Sequence, residues 1–151
     1  MSMLLCDLLQ TTANLHKRIM NAMLARFNLT YAQYLVLKQL DAKEGLAAKI
    51  LLDQLDTDKA TLSGIVSRLE KYGWISRQKD AKDRRLMHIF LTDYAREHLP
   101  QVIAKERSCE DDILSHFKNR EAKNFKDLFV KLIDNQKDAL TQYLATQEES
   151  E

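Results

Sequence analysis

The sequence has few of the residues that interrupt regular structure. Its 151 residues include three glycines and one proline, the residue types that turns and strand ends usually require. A chain with so few of them is expected to be mainly α-helical. No apolar run reaches the roughly 18 residues that a membrane span needs. The first ten residues lack the basic start and the small-residue cleavage site of a signal peptide.

Cysteine is equally scarce. Cys6 and Cys109 are the two cysteines of the chain, too few for a disulfide framework, and a reducing cytoplasm is the expected compartment. The composition, with 45% hydrophobic and 30% charged residues, is that of a globular protein. At about 100–200 residues per domain, the length predicts one domain or one compact protomer.

Motifs for catalysis and for metal binding are also lacking. The sequence contains no glycine-rich phosphate loop, no Gly-x-Ser-x-Gly and no His-Glu-x-x-His. The four histidines are scattered, and none has the short spacing to a cysteine or another histidine that zinc ligands show; they are His16, His88, His98 and His116. The sequence therefore predicts no enzyme, no cofactor and no metal site.

The net charge of +1 is small, but the charges are unevenly distributed along the chain. Residues 58–88 carry 8 basic and 4 acidic side chains, which gives +4. Residues 97–151 carry 8 basic and 12 acidic side chains, which gives −4. A concentrated basic segment indicates an anionic partner that one face of the protein meets, although a solvated charged loop would give the same pattern.

Hydrophobic periodicity and capping residues divide the chain into six helices and one hairpin. Thr30 and Gln33 form a capping-box pattern, Asp58 can cap a helix, and Gly73 fits the left-handed end of one. Pro100 is expected to kink the helix that contains it. The predicted helices cover about residues 3–27, 31–42, 47–54, 58–72 and 93–116 and a last segment from 119 onward, and the predicted hairpin strands cover 74–78 and 86–91.

The same periodicity predicts which side chains are buried. The second helix should bury Tyr34, Leu35, Leu37 and Leu40, and the fourth should bury Leu62, Ile65, Val66, Leu69 and Tyr72. The fold class is therefore mainly α with a small β-hairpin. The order of elements is that of a winged helix-turn-helix over residues 31–92, and the apolar helices in 1–30 and 93–151 are interpreted as dimerisation helices. A monomer whose terminal helices complete its own core is the alternative.

The outward face of the fourth helix is made mostly of small side chains. It carries Lys59, Ala60, Thr61, Ser63, Gly64, Ser67, Arg68 and Lys71. Small residues let a helix approach another surface closely, hydroxyl and guanidinium groups can donate to base edges or phosphates, and the major groove of DNA admits one helix. An ordinary amphipathic surface helix is the alternative, but such helices more often carry Glu and Lys pairs.

The hairpin adds a second basic element. It contains Arg77, Lys79, Lys82, Arg84 and Arg85, and a basic hairpin beside a recognition helix can contact phosphates and insert an arginine into the minor groove. Asp83 is expected to pair with a neighbouring arginine and to orient its guanidinium group. An exposed ion pair of little energetic weight is the alternative.

Several spaced motifs resemble the multiple antibiotic resistance regulator (MarR) family. They are Leu29 to Leu37, Leu55 to Leu62, Arg68 to Arg77, and Asp83-Arg84-Arg85 followed after five residues by Leu91-Thr92. The resemblance covers about residues 4–145 and implies a triangular homodimer that binds pseudo-palindromic operators, usually as a repressor released by a small ligand or by oxidation. Ala95 departs from the family pattern, which usually has glycine after Leu-Thr.

The resemblance also implies roles for individual residues. Thr61, Ser63, Gly64, Ser67 and Arg68 match recognition-helix positions, Asp83 and Arg85 match the wing pair, and Arg77 matches the basic residue that opens the wing. The DNA-contacting set predicted from the residues and the resemblance together is Lys59, Thr61, Ser63, Gly64, Ser67, Arg68, Arg77, Lys82, Asp83, Arg84 and Arg85.

A redox role for Cys6 is a separate hypothesis. The spacing from Cys6 to Tyr31 resembles the peroxide-sensing branch of the family, but Gln10 and Met20 occupy the positions of two other expected tyrosines. A buried helix cysteine that behaves as a small hydrophobic residue is the favoured alternative. The expected function is a cytoplasmic homodimeric regulator that binds double-stranded DNA; a regulator switched through Cys6 and a protein-interaction module that does not touch DNA are the alternatives.

Overall fold

The computed structural model describes residues 4–148 and contains six α-helices and three short strands within that range. The helices are α1 (Leu5–Leu24), α2 (Tyr31–Ala42), α3 (Ala48–Leu55), α4 (Lys59–Lys71), α5 (Asp93–Leu114) and α6 (Asn119–Glu148), and the strands are β1 (Leu46–Ala47), β2 (Ile75–Lys79) and β3 (Met87–Leu91). The predicted fold class is confirmed, with a third strand added to the hairpin. None of the described helices is long and apolar enough to cross a membrane.

Local capping signals set the helix boundaries close to where the sequence predicts them. The Thr30 hydroxyl accepts from the backbone of Gln33, and the Gln33 side chain accepts from the backbone N–H of Thr30 at 2.8 Å. A single 3-10 turn, Ala25–Phe27, follows α1 and ends at Asn28 in the left-handed region. The helix α5 continues through Pro100, and the kink expected there stays a prediction.

The three strands form one antiparallel sheet in the order β1-β3-β2. The predicted hairpin is confirmed, with Ile75 opposite Leu91 and Lys79 opposite Met87. The two-residue strand β1 pairs with the other edge of β3. Gly45, just before it, has φ +70°, and a Cβ there would lie 3.0 Å from the Phe90 ring, so both the backbone and the space favour glycine at this position.

The chain divides into two compact units after Cys109. The first unit contains the hydrophobic core, in which Leu24, Leu37, Leu40, Leu51 and Leu69 are fully buried. Leu62, Val66 and Leu69 are the buried residues of α4, so this helix is fixed to the core by one face. The second unit contains α6, along which no described residue is buried.

Two expectations about burial are wrong. Tyr72 is 57% exposed, because α4 ends at Lys71 and the backbone leaves the helical conformation at Tyr72. Full burial of Leu35 and Ile65 is the second: both are only partly buried, whereas Val36 and Gln33 are buried. The other predicted core positions of these two helices are buried.

A buried tyrosine joins α2 to α5 within the first unit. The hydroxyl of Tyr34, a fully buried residue, donates to Oε2 of Glu106 at 2.7 Å, and Nζ of Lys38 lies 3.0 Å from the same carboxylate. Burial, followed by the bond to Glu106, raises the pKa of Tyr34 far above its ordinary value. This tyrosine is therefore a neutral donor that fixes the position of α2, the first helix of the winged helix-turn-helix segment, against α5.

Candidate nucleic-acid interface

The helix α4 presents its small side chains to solvent. Asp58 caps it, since its carboxylate accepts from the backbone N–H of Thr61 at 2.8 Å and from the Thr61 hydroxyl at 2.6 Å. These bonds lower the pKa of Asp58, and the hydroxyl of Thr61 is the largest cause. The predicted contact residues of this helix are all exposed: Lys59, Thr61, Ser63, Gly64, Ser67 and Arg68.

The glycine in the middle of this face, Gly64, is not required by packing within the chain. A Cβ added at Gly64 would meet no atom within 4 Å, so the core does not require glycine here. Glycine inside a helix costs about 1 kcal/mol relative to alanine. The surface around Gly64, between Thr61 and Ser67, can therefore be approached more closely than an ordinary helix surface.

Two aspartates fold the tip of the hairpin, residues 80–86. Oδ1 of Asp80 accepts from the backbone N–H groups of Lys82 at 2.7 Å and Asp83 at 2.9 Å. Oδ1 of Asp83 accepts from the backbone N–H of Arg85 at 3.0 Å. The expected pairing of Asp83 with a guanidinium group is therefore wrong: its carboxylate binds the backbone of the turn, because the tight tip brings the amide two residues ahead within reach.

The cations of the hairpin tip are exposed and available. Within residues 4–148, the side chains of Lys82, Arg84 and Arg85 make no intramolecular hydrogen bond or ion pair. The same holds for Lys59 and Arg68 on α4. These five side chains keep their full donor capacity for a partner, and the tip backbone that carries three of them is held by hydrogen bonds.

Arg77 differs from the other predicted cations because it is already paired. Its guanidinium group bonds to the carboxylate of Glu70, which joins β2 to α4. The bond raises the pKa of Arg77 and lowers that of Glu70. Both side chains remain more than a third exposed, so this pair positions Arg77 at the junction of α4 and the hairpin, and the guanidinium group still faces solvent.

A cavity of about 440 Å³ lies between α3, α4 and the sheet. Its lining is mainly apolar and includes three cationic side chains; the lining residues are Ala48, Lys49, Leu52, Lys59, Leu62, Ser63, Val66, Arg77, Met87 and Ile89. Lys59, Ser63 and Arg77 belong to the predicted contact set. A group bound in this cavity would therefore touch the side chains that the contact face uses.

Sequence reasoning missed two residues that organise the site, Asp80 and His88. Asp80 had a readable signal, because an aspartate at the first position of a turn often accepts from the amides that follow. No pattern in the sequence indicated His88, because its ring bonds to Asp80 and to Gly45 and both contacts depend on strand register. The structure places the predicted redox pair outside this interface. Cys6 is exposed on α1 in the single chain, so the favoured expectation of a buried cysteine is wrong there. The Tyr31 hydroxyl lies 3.2 Å from Nε2 of His16.

Comparisons with known proteins give one family throughout. A family model described as the MarR family matches residues 29–87. The chain is 40% identical over 92 residues to the HTH-type transcriptional regulator TtmR of Methylorubrum extorquens (strain PA1), a match that covers 61% of this chain and 47% of that protein. The chain thus spans about half the length of this relative.

Two other similarities extend over most of both chains. The HTH-type transcriptional regulator SarZ of Staphylococcus aureus (strain USA300) is 30% identical over 113 residues, covering 68% of this chain and 76% of SarZ. The solved structure of reduced AbfR bound to DNA superimposes with a TM-score of 0.75 at 26% identity, covering 90% of this chain and 92% of that one.

Proposed function

The chain belongs to the MarR family of transcriptional regulators, and from that premise we propose that it is a cytoplasmic homodimer that represses transcription from a pseudo-palindromic operator until a small ligand releases it. Family membership also indicates that the chain is not an enzyme, since these relatives are regulators of transcription. The observation that carries the proposal is the open, small-residue face of α4 beside the unpaired cations of the hairpin tip.

The positions of the contact residues support different roles for them in DNA binding. Thr61, Ser63 and Ser67 lie on the exposed face of α4 and would contact base edges in the major groove. The serine hydroxyls can donate or accept, whereas the Thr61 hydroxyl, which donates to Asp58, would accept or present its methyl group. Arg68 and Arg77 would hold phosphates. Arg85 would enter the minor groove from the hairpin tip, with Lys59, Lys82 and Arg84 on the flanking backbone.

The terminal helices support the dimer. Leu5, Leu8 and Ile19 of α1 and Leu128 and Leu140 of α6 are all at least 39% exposed, although aliphatic side chains of this size are usually buried. Large exposed apolar side chains that recur along one helix are typical of an interaction site, and a second copy of the chain would cover those of each helix. Residues 31–92 would then bind DNA and 1–30 with 93–151 would form the dimer; residues 1–3 and 149–151 lie outside the described range.

The cavity between α3, α4 and the sheet supports the ligand part of the proposal. Its mainly apolar lining with Lys49, Lys59 and Arg77 suits an amphipathic anion, such as an aromatic carboxylate. Such a ligand would neutralise two cations of the contact set, and binding and DNA contact would then oppose each other.

Selection of bound fragments from random DNA tests the function directly. Enrichment of a two-fold pseudo-symmetric sequence is expected, and its affinity should fall steeply with salt, by a log–log slope of about −0.9 for each phosphate neutralised. Repeating the selection with aromatic carboxylates tests release. No enrichment together with a flat salt response would contradict the proposal and would favour the protein-interaction module.

Replacing Gly64 with alanine should separate stability from binding. The methyl group meets no atom of the chain, so the free energy of unfolding should rise by about 0.5–1 kcal/mol from helix propensity. Operator affinity should fall by a factor of about five to ten, because the added Cβ holds the helix away from the groove. Urea unfolding and a binding titration measure the two effects; a stabilised variant with unchanged affinity would mean that this face does not approach DNA.

A further inference from the structure

The ring of His88 lies between a backbone carbonyl and the side-chain carboxyl group of Asp80. Nδ1 is 2.9 Å from the backbone carbonyl of Gly45, and Nε2 is 2.9 Å from Oδ2 of Asp80. A neutral imidazole has one N–H and a protonated one has two. With Asp80 ionised, both contacts are hydrogen bonds at the same time only when the ring is an imidazolium cation. Asp80 is held in that form by the two backbone amides that donate to its other oxygen, since hydrogen bonds to a carboxylate favour its charged form.

The carboxylate that His88 holds is the one that folds the hairpin tip. Its other oxygen, Oδ1 of Asp80, accepts from the amides of Lys82 and Asp83. Asp83 in turn accepts from the amide of Arg85. A continuous series of hydrogen bonds thus runs from the Gly45 loop through His88 and Asp80 to the backbone that carries the exposed arginines.

The electrostatic surroundings support ionisation of both partners. The Gly45 carbonyl, followed by the Asp80 carboxylate, raises the pKa of His88 above its ordinary value. The amides of Asp83 and Lys82, followed by His88, lower the pKa of Asp80. Because the histidine pKa is raised, the contacts persist at acidic pH and are lost as the pH rises through the folded-state pKa.

Few other charges face the ring. The cross-strand neighbours of His88 are Ala47 on β1 and Gln78 on β2, and neither titrates. Glu44, in the loop before β1, is bound by Arg96 at 2.7 Å. The remaining charged groups of the adjoining segments are Lys38 and Asp41 on α2, Lys43 before Glu44, Lys49 and Asp53 on α3, Arg77 and Lys79 on β2, and Lys82, Asp83, Arg84 and Arg85 in the tip. Among the described residues, Asp80 is the charged partner in contact with the ring.

We propose that His88 is the positioning residue of the hairpin tip, and that its doubly donating imidazolium form holds the tip in the conformation that meets DNA, so that operator affinity falls as the pH rises and the ring loses a proton. The statement about affinity rests on the proposed function. The statement about the tip does not, because it concerns contacts within one chain.

The first experiment follows the tip without DNA. A pH titration by NMR of the full chain should give His88 a midpoint above the ordinary value of about 6.5, and the amide signals of Lys82 and Asp83 should move with the same midpoint. Asp80→Asn should lower the midpoint, because an amide cannot form the ion pair. A His88 midpoint at or below the ordinary value, or tip amides that do not follow it, would overturn the inference.

The second experiment measures operator affinity against pH. Between about pH 6 and about pH 8 the wild-type Kd should rise about three- to tenfold, the weight of one partly exposed charge-assisted hydrogen bond. His88→Gln should remove this component, since glutamine does not titrate. His98→Gln is the matched control: His98 is partly buried, and its Nδ1 also contacts a carbonyl, that of Tyr94, but it lies on α5.

The two experiments separate the two claims. A chain that shows the NMR coupling but binds no DNA at any pH keeps the positioning role and loses the proposed function. A chain that binds its operator with the same pH profile in wild type and His88→Gln keeps the function and loses the inference about affinity. Loss of the pH component in His88→Gln alone, with the control unchanged, supports both.

Discussion

Replacing Arg85 with alanine is expected to weaken operator binding by about 1–3 kcal/mol, a factor of roughly 5 to 150. The side chain is exposed and makes no hydrogen bond within the described chain, so its removal should leave the free energy of unfolding nearly unchanged. The loss comes from the interface alone, because a guanidinium group in a narrow minor groove meets an enhanced negative potential.

The backbone around Arg85 explains why this arginine should matter more than a mobile surface cation. Its amide donates to Asp83, and Asp83 is itself held by Asp80. The side chain therefore projects from a tip whose conformation is already set, and less conformational entropy is lost when DNA binds. Arg84 projects from the same tip, so it should make a smaller, additional contribution to phosphate binding.

Fluorescence anisotropy with the selected operator measures this effect, and two variants calibrate it. Arg85→Lys keeps the charge and loses the planar fork, so its affinity should lie between those of wild type and Arg85→Ala. Arg120→Ala removes one exposed arginine from α6, outside the basic segment, and should bind as wild type does. Equal losses in Arg85→Ala and Arg120→Ala would show that only total charge matters and would contradict a minor-groove role.

The parts of the fold that the sequence predicted well are those determined by neighbouring residues. The capping box of Thr30 and Gln33 and the cap at Asp58 act over three residues, and the helices begin where these residues indicate. Gly73 has φ +76° and ends α4 as predicted. In each case the physical cause, an unsatisfied amide or a left-handed backbone, is local and can be read from the residue types.

The parts that could not be predicted depend on contacts between distant segments. The strand β1 has two residues and exists through its pairing with β3, a contact across about forty residues for which a two-residue strand gives no periodic signal. The bonds of His88 to Gly45 and Asp80 depend on the same register. Asp83 had two possible local partners, a backbone amide and an arginine side chain. The geometry of the turn places the amide of Arg85 within hydrogen-bond distance, so Asp83 binds the amide.

The candidate contact face itself could be predicted because exposure follows from periodicity once the buried stripe is identified. Leu62, Val66 and Leu69 face the core and Ile65 packs beside them, so Ser63, Gly64, Ser67 and Arg68 fall on the opposite, exposed face. The pairing of Arg77 with Glu70 was not foreseen. This pair joins an edge of the hairpin to α4. The two residues are seven apart in sequence and lie on either side of the end of α4, so their contact depends on how β2 folds back against the helix.

The double variant Leu128→Glu, Leu140→Glu is expected to lower operator affinity by about a hundredfold or more, because loss of the second linked binding module removes avidity of that order. Leu128 and Leu140 of α6 are 66% and 59% exposed in the single chain, and a second copy would bury them. Carboxylates in that interface would lose hydration without a partner. Monomers present one recognition helix, and two helices must meet two half-sites about 34 Å apart for tight binding.

Sedimentation and circular dichroism separate loss of the dimer from loss of the fold. The core lies in the first unit and contains neither leucine, so the variant should sediment as a monomer and keep its helical signal. Thr141→Glu, Ala145→Glu adds the same charge at two exposed positions that helical periodicity places on the side of α6 opposite Leu128 and Leu140, and this control should remain dimeric and bind DNA. A dimeric leucine variant, or a monomeric one that binds the full operator as wild type does, would contradict the two-fold arrangement, because the leucine face would then have no part in placing the two recognition helices.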